Sequence, residues 1–280
     1  MARAQRELGT LLRAADVVWE VADARCPRAS RNPELLRGAP ERPRVLILSR
    51  DDLAEEDATR RWAALLSRSQ PVVALDLHGP DWRRAELEAA TMRSLGRSGD
   101  PGAWSVVVVG MPNTGKSTLL NRVLGTRSAR VGARAGVTRG PQWFGLPGGG
   151  RLCDMPGVLR PRSGPWSVTW RLWAIGALPD TAMDAVQGAT ELGRWIAARS
   201  PRALEVRYGI RETEAPETWL EQVAQGRGML RGGGLPDLER AAQALALDFR
   251  RGQLGAITLE EPSAVGCPAL LWGTADRFDQ

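Results

Sequence analysis

Four short stretches in the first 110 residues are almost wholly apolar and rich in valine, leucine and isoleucine: residues 16–22, 44–49, 71–76 and 104–109. Apolar runs of this length, bounded by polar or Pro/Gly-containing segments, predict strands buried on both faces, as in a parallel sheet. Helical patterns over residues 32–37 and 58–67 separate the first three, the alternation of an α/β layer fold. Gln142-Trp143-Phe144-Gly145-Leu146 and Arg151-Leu152-Cys153 flank Pro147-Gly148-Gly149-Gly150 and predict a β-hairpin. Beyond a short polar link punctuated by Pro161 and Pro165 the period changes. Trp166, Trp170 and Trp173 recur at i, i+4 and i+7, a stripe expected in a core, and residues 182–199 and 238–251 read as amphipathic helices. The expected organisation is a mostly parallel sheet flanked by helices over residues 1–160, a smaller all-α domain over 165–262, and a tail, 263–280, without an assignable pattern.

Length and composition narrow the class. A chain of 280 residues can bury one large core or two modest ones. Its three cysteines, Cys26, Cys153 and Cys267, are far apart and lack metal-ligand spacing, which supports neither a disulfide framework nor a zinc site and suits a reducing cytoplasm. The first residues are too charged for a secretory signal, and no apolar run approaches the ~20 residues that span a bilayer, so a soluble cytoplasmic protein is expected. A formal net charge of +6 raises the odds of a polyanionic partner, although an arginine-rich solvated surface explains it equally well.

One exception in that charge is informative. Among the 38 basic residues there is a single lysine, Lys116, and it lies in Gly110-Met111-Pro112-Asn113-Thr114-Gly115-Lys116-Ser117, a complete GxxxxGK[ST] phosphate-binding loop. The loop needs a compact ammonium to bridge the β and γ phosphates where a guanidinium fork would displace the backbone cradle. Ser117 offers its hydroxyl to Mg²⁺, and the strand before and helix after the loop are the expected context. Downstream, Thr138 in Ala135-Gly136-Val137-Thr138-Arg139-Gly140 resembles a switch I threonine reaching Mg²⁺ and the γ-phosphate. The hairpin then delivers Asp154-Met155-Pro156-Gly157, a DxxG element in which Asp154 would hold Mg²⁺ through water and the Gly157 N–H would sense the γ-phosphate. Upstream, Ser49-Arg50-Asp51-Asp52 resembles the guanine-recognition motif Asn-Lys-x-Asp, with its last member retained. That motif comes about sixty residues before the phosphate loop, so the usual order is permuted, which joined termini and a cut elsewhere in the same sheet would allow.

This set resembles the circularly permuted GTPases, specifically the ribosome biogenesis GTPase A (YlqF-like) family. The likeness extends to Asp23-Ala24-Arg25 after the first strand, to Ala174-Ile175-Gly176-Ala177-Leu178, Arg207-Tyr208-Gly209 and Gly232-Gly233-Gly234, and to Leu254-Gly255-Ala256-Ile257-Thr258-Leu259-Glu260, about residues 1–262 in all. The resemblance implies a permuted phosphate-loop GTPase domain with a helical RNA-binding domain. It implies GTP held by Ser49, Arg50, Asp52, Asn113, Thr114, Gly115, Lys116, Ser117 and Thr118, and Mg²⁺ held by Ser117, Thr138 and Asp154. Lys116, Thr138 and Gly157 then carry the catalysis, and Asn113 either holds a K⁺ ion or only stabilises its loop. It further implies action late in maturation of the large ribosomal subunit, on rRNA and ribosomal proteins, by a chain monomeric off the ribosome.

Three departures qualify the expectation. Ser49 replaces the asparagine at the base edge, so one specificity contact is shortened or lost. Ala135 replaces a proline and loosens switch I. Family members open on a segment bearing a histidine proposed to serve hydrolysis, and this sequence is expected to start just after it, while the lone histidine, His78, reads as a loop residue. Val158 stands where many GTPases carry the glutamine that orients water, as in the family at large. A GTP-gated RNA-binding module that scarcely hydrolyses is therefore the chief rival, and a phosphate-loop kinase the third reading. Arginines 202, 207, 211, 227, 231, 240, 250 and 251 make the C-terminal domain a candidate phosphate-contacting surface.

Overall fold

The computed structural model describes residues 9–31, 42–96, 104–125, 142–146, 149–155, 165–210 and 216–262. Six strands form one sheet: β1 (Val17–Asp23), β2 (Arg44–Ser49), β3 (Val72–Leu75), β4 (Ser105–Gly110), β5 (Gln142–Gly145) and β6 (Arg151–Asp154), in the order β3-β2-β1-β4-β6-β5. All neighbours pair in parallel except the β5–β6 hairpin. Every residue of β1 and β4 is buried, as central strands covered on both faces require, and the two carboxylates of β1, Glu20 and Asp23, are paired with Arg31 and Arg25.

Helices α1 (Glu56–Leu66), α2 (Arg84–Ser94) and α3 (Lys116–Leu124) cover the sheet. Alternation along the strands divides the residues. Trp19, Val21, Ile47, Leu75 and Val108 pack with Leu87 of α2 and with Leu119, Leu120 and Val123 of α3; Leu46 and Leu48 meet Trp62 and Leu66 of α1 on the other face. Trp19 also donates its indole N–H to Thr91 Oγ1 of α2 at 3.0 Å, so the aromatic group enters the core with its polar atom satisfied. The patterns over 16–22, 44–49, 71–76 and 104–109 become strands to within a residue or two, and 58–67 becomes α1. The pattern over 32–37 lies outside the described residues, and α2 was not anticipated.

The C-terminal part is helical: α4 (Trp166–Ala174), α5 (Ala185–Arg199), α6 (Pro201–Tyr208), α7 (Pro216–Gly226) and α8 (Leu238–Arg250). Asp184 caps α5 by accepting from Val186 N and Gln187 N at 2.8 and 3.0 Å, and its side of the helix joins the core of Trp170, Trp173, Leu192, Ile196, Leu245 and Phe249. The tryptophan stripe needs correction at one position, because Trp166 in the first turn is 42% exposed while Trp170 and Trp173 are buried.

Cys26, Ala29 and Met111 of the sheet domain enter this same core, and the chain beyond α8 turns back onto the sheet. Several arginines expected to face phosphate instead hold the domain together. Asp248, buried in α8, accepts from Arg207 Nε (2.8 Å), Tyr208 Oη (2.7 Å) and Arg227 Nη2 (2.6 Å), and Arg250 donates to Trp173 O and Ala174 O. Arg202, Arg240 and Arg251 remain exposed. No helix among the described residues is long and apolar enough to cross a membrane.

Candidate functional site

The C-terminal ends of β1, β2 and β4 converge where an open parallel sheet presents its loops, and each delivers one part of the site. β4 ends at Gly110, and a side chain there would press its Cβ to 2.4 Å from Val21 O of β1. Gly115 closes the loop at φ 94°, with its Cβ position 3.1 Å from Ser49 Oγ. The motif glycines therefore answer two separate demands, the approach of β1 to the loop and that of β2.

Between them the loop folds around its lysine. Lys116 Nζ donates to Gly110 O at 2.9 Å and Met111 O at 2.5 Å, and Thr114 Oγ1 donates to Met111 O at 2.9 Å. Burial pulls the Lys116 ammonium down to a pKa of about 8, and the Asp154 carboxylate partly opposes that shift. Burial in turn raises Asp154, against which Lys116 acts. The two groups thus sense one another across the ends of the adjacent strands β4 and β6. A desolvated ammonium, the N-terminus of α3 and a carboxylate form a site suited to a polyphosphate with its metal. Ser117 and Thr118 occupy the first turn of α3, both half-buried. Ser117 and Asp154 provide hard oxygen donors that fit Mg²⁺. Thr138 and Gly157 lie outside the described residues.

The second part is the turn after β2. Ser49 is fully buried, and its hydroxyl lies 2.6 Å from Thr114 O and 3.2 Å from Ala22 O. It ties the end of β2 to the phosphate loop. Arg50 adopts a left-handed conformation, φ 57°, and donates from Nη2 to Asn113 O at 3.1 Å, with Nη1 3.8 Å from Asp23 Oδ2. Asp52 follows in a 3-10 turn, Asp51–Leu53. Although the residue is exposed, its carboxyl is held above the ordinary value by partial burial first and by Asp76 second. His78, also exposed, donates its backbone N–H to Asp76 Oδ1 at 2.8 Å, as a loop residue would.

Two supports were not legible as such. Arg122 of α3 donates to Leu77 O (2.7 Å) and Gly79 O (2.5 Å), fixing the loop after β3 to the helix that follows the phosphate loop. Asp23 and Arg25 form a fully buried bidentate pair at 2.9 and 2.8 Å, and Arg25 continues to Phe249 O of α8 at 3.3 Å. Burial would raise Asp23, yet Arg25 and Arg50 hold its carboxyl below the usual range. The Asp-Ala-Arg element thus connects the guanine-type turn to the helical domain. Asn113, with φ 58°, donates Nδ2 to Gly176 O at 2.7 Å, which leaves its amide oxygen as the group a K⁺ ion would require.

Known proteins share this arrangement. The family model of the 50S ribosome-binding GTPase matches residues 105–188. The chain is similar to ribosome biogenesis GTPase A of Thermotoga maritima, 32% identical with 94% of this chain and 92% of that one covered. The counterpart in Bacillus cereus is 31% identical over 95% and 93%. Among solved structures, GNP-bound YlqF from T. maritima superposes with a TM-score of 0.66 at 26% identity, covering 92% of this chain and 98% of that one; a GDP-bound YlqF gives 0.64.

Proposed function

The chain belongs to the ribosome biogenesis GTPase A family and is a GTP-hydrolysing enzyme, and from that premise we propose that it acts late in assembly of the large ribosomal subunit, with hydrolysis stimulated by the particle. GTP binds with its phosphates on residues 113–118 and its base at Asp52, and Mg²⁺ is held by Ser117, Thr138 and, through water, Asp154. Thr138 and the Gly157 N–H respond to the γ-phosphate.

The observation that carries the reading is the direct linkage of the nucleotide loops to the helical domain: Asn113 to Gly176, and Arg50 through Asp23 and Arg25 to Phe249. A state change at the phosphates therefore has a physical route to the domain that would meet rRNA. The domains divide as 1–160 and 165–262, and the protein works in the cytoplasm, as a monomer when off the ribosome. The sequence supports slow intrinsic turnover, since Val158 cannot orient a water. A K⁺ ion at the Asn113 oxygen would supply charge without a general base.

The test is phosphate release from GTP with and without large ribosomal subunits, at low and high salt and with K⁺ or Na⁺. Stimulation by the particles, lost together with binding as salt rises, is the expected result. Binding without any stimulated hydrolysis would favour the GTP-gated module, and fast turnover indifferent to particles would contradict both.

A further inference from the structure

The turn that carries Asp52 is short, with backbone hydrogen bonds from Leu53 N to Arg50 O (3.0 Å) and from Ala54 N to Asp51 O (3.2 Å), and Arg83 holds its Asp51 side chain. Its position is set from outside. Upstream, Ser49 and Arg50 hang on carbonyls of the phosphate loop. Downstream, the anchors come from more than 200 residues away. Ile257 N donates to Leu53 O at 3.0 Å, Glu55 N to Thr258 Oγ1 at 3.1 Å, and Thr258 N back to Glu55 Oε2 at 3.2 Å. Glu55 is also the residue that starts α1, and Gly252 lies against the Leu53 side chain.

The stretch that supplies these groups is itself fastened to both domains. On the helical side Trp195 Nε1 donates to Thr258 O (2.9 Å) and Arg171 Nε to Leu259 O (2.7 Å). On the sheet side Leu259 N donates to Arg25 O (2.7 Å), Trp62 Nε1 donates to Glu260 O (3.0 Å), and the Glu260 carboxylate accepts from Arg28 N and Ala29 N (2.7 and 3.0 Å). Residues 252–261 form a strap that reaches the turn through Ile257 on Leu53, and Thr258, 1% exposed, bonds Glu55 just beyond it.

We propose that Thr258 is a positioning residue for guanine discrimination: through Glu55 and Leu53 the strap holds Asp52 where it can accept from the guanine edge, so the helical domain takes part in base selection. A carboxylate accepting two hydrogen bonds from a flat base edge works only within about half an ångström of its proper place. Removing the Thr258 hydroxyl leaves the Glu55 N–H without its acceptor and loosens the downstream bracing of the turn, which then rests on Ile257 N to Leu53 O and Thr258 N to Glu55 Oε2. Linkage makes the effect reciprocal: guanine binding must favour the docked strap by the same factor.

The proposal rests on the reading that Asp52 meets guanine, and the two can fail separately. The experiment is equilibrium binding of GTP and of ITP, which lacks the 2-amino group, to the full chain and to Thr258→Val. The preference for GTP over ITP should fall roughly two- to tenfold, the range expected from one lost hydrogen bond, with ITP, which keeps only the N1–H donor, weakened less than GTP and Thr258→Ser restoring the preference. An unchanged preference in a folded Thr258→Val variant overturns the positioning role while the guanine site stands. An unmodified chain that cannot distinguish the two nucleotides removes the Asp52 reading and this proposal with it. Should Thr258→Val fail to fold, hydrogen exchange on the unmodified chain decides: GTP should slow exchange at the Ile257 amide more than ITP does, and equal slowing contradicts the proposal.

Discussion

The phosphate loop and the base-reading turn lie side by side at the ends of β4 and β2, yet they are built by opposite means. The phosphate loop holds its own shape: Lys116 bonds two carbonyls of the loop it belongs to, Thr114 bonds Met111, and the glycines admit the neighbouring strands. The turn that carries Asp52 has few internal bonds and is braced by Asn113 and Thr114 of the phosphate loop, by Arg83 on Asp51, and by the strap at Ile257 and Thr258. A self-contained loop has to keep its whole motif, whereas a turn braced from outside can lose a motif residue if the brace survives. Ser49 shows the bracing directly: its buried hydroxyl ties the end of β2 to Thr114 O of the phosphate loop.

Removing Lys116 breaks the comparison at its strongest point. Lys116→Ala should abolish measurable GTP binding by calorimetry while circular dichroism stays native, because a charge-assisted contact to the phosphates is worth roughly 2–5 kcal/mol and the buried ammonium is not a packing group. The same group predicts a pH dependence. With its free-state pKa lowered to about 8, the charge is complete below that value and is lost as pH rises through it, so GTP affinity should weaken above about pH 8.

Disturbing the helical domain should leave the phosphate side intact. Asp248→Asn removes the charge opposite Arg207 and Arg227 and should lower stability by about 1–3 kcal/mol in urea titration. Burial would raise the Asp248 pKa, but Arg207, Tyr208 and Arg227 outweigh it and lower it. Its contribution is therefore present above the ordinary carboxylate value and lost as pH falls through the depressed one, and the variant's deficit should shrink in acid.

Ser49→Ala sharpens the comparison further. It leaves Thr114 O without that donor and should weaken GTP binding by about 1 kcal/mol, with the GTP:ATP preference unchanged because Ser49 ties loops and does not read the base. Arg50→Lys should have the smallest effect, below about 1 kcal/mol in GTP affinity, since one ammonium can reach Asn113 O or Asp23 but not hold both as the fork does.

The sheet was legible because its strands are short and rich in valine, leucine and isoleucine and its loop motifs have fixed spacing. The GxxxxGK[ST] stretch forms the loop between β4 and α3. The supports were not legible for a physical reason: they are long-range pairings between residues of ordinary type. Nothing local marks Arg122 as the holder of the loop after β3, Arg207 and Arg227 as partners of Asp248 rather than of phosphate, or Thr258 as the neighbour of Glu55. Trp166 fits the helical period as well as Trp170 and Trp173 do, and only the packing leaves it at the surface.

The most direct test of whether this braced, degenerate turn still reads guanine is the exchange of Asp52 for asparagine, followed by equilibrium binding of GTP and of xanthosine triphosphate, whose 2-position is a carbonyl. The unmodified chain should prefer GTP, and Asp52→Asn should reverse that preference with phosphate contacts unaffected. A variant that keeps the parent's preference for GTP would show that Asp52 does not meet the base and would contradict the account.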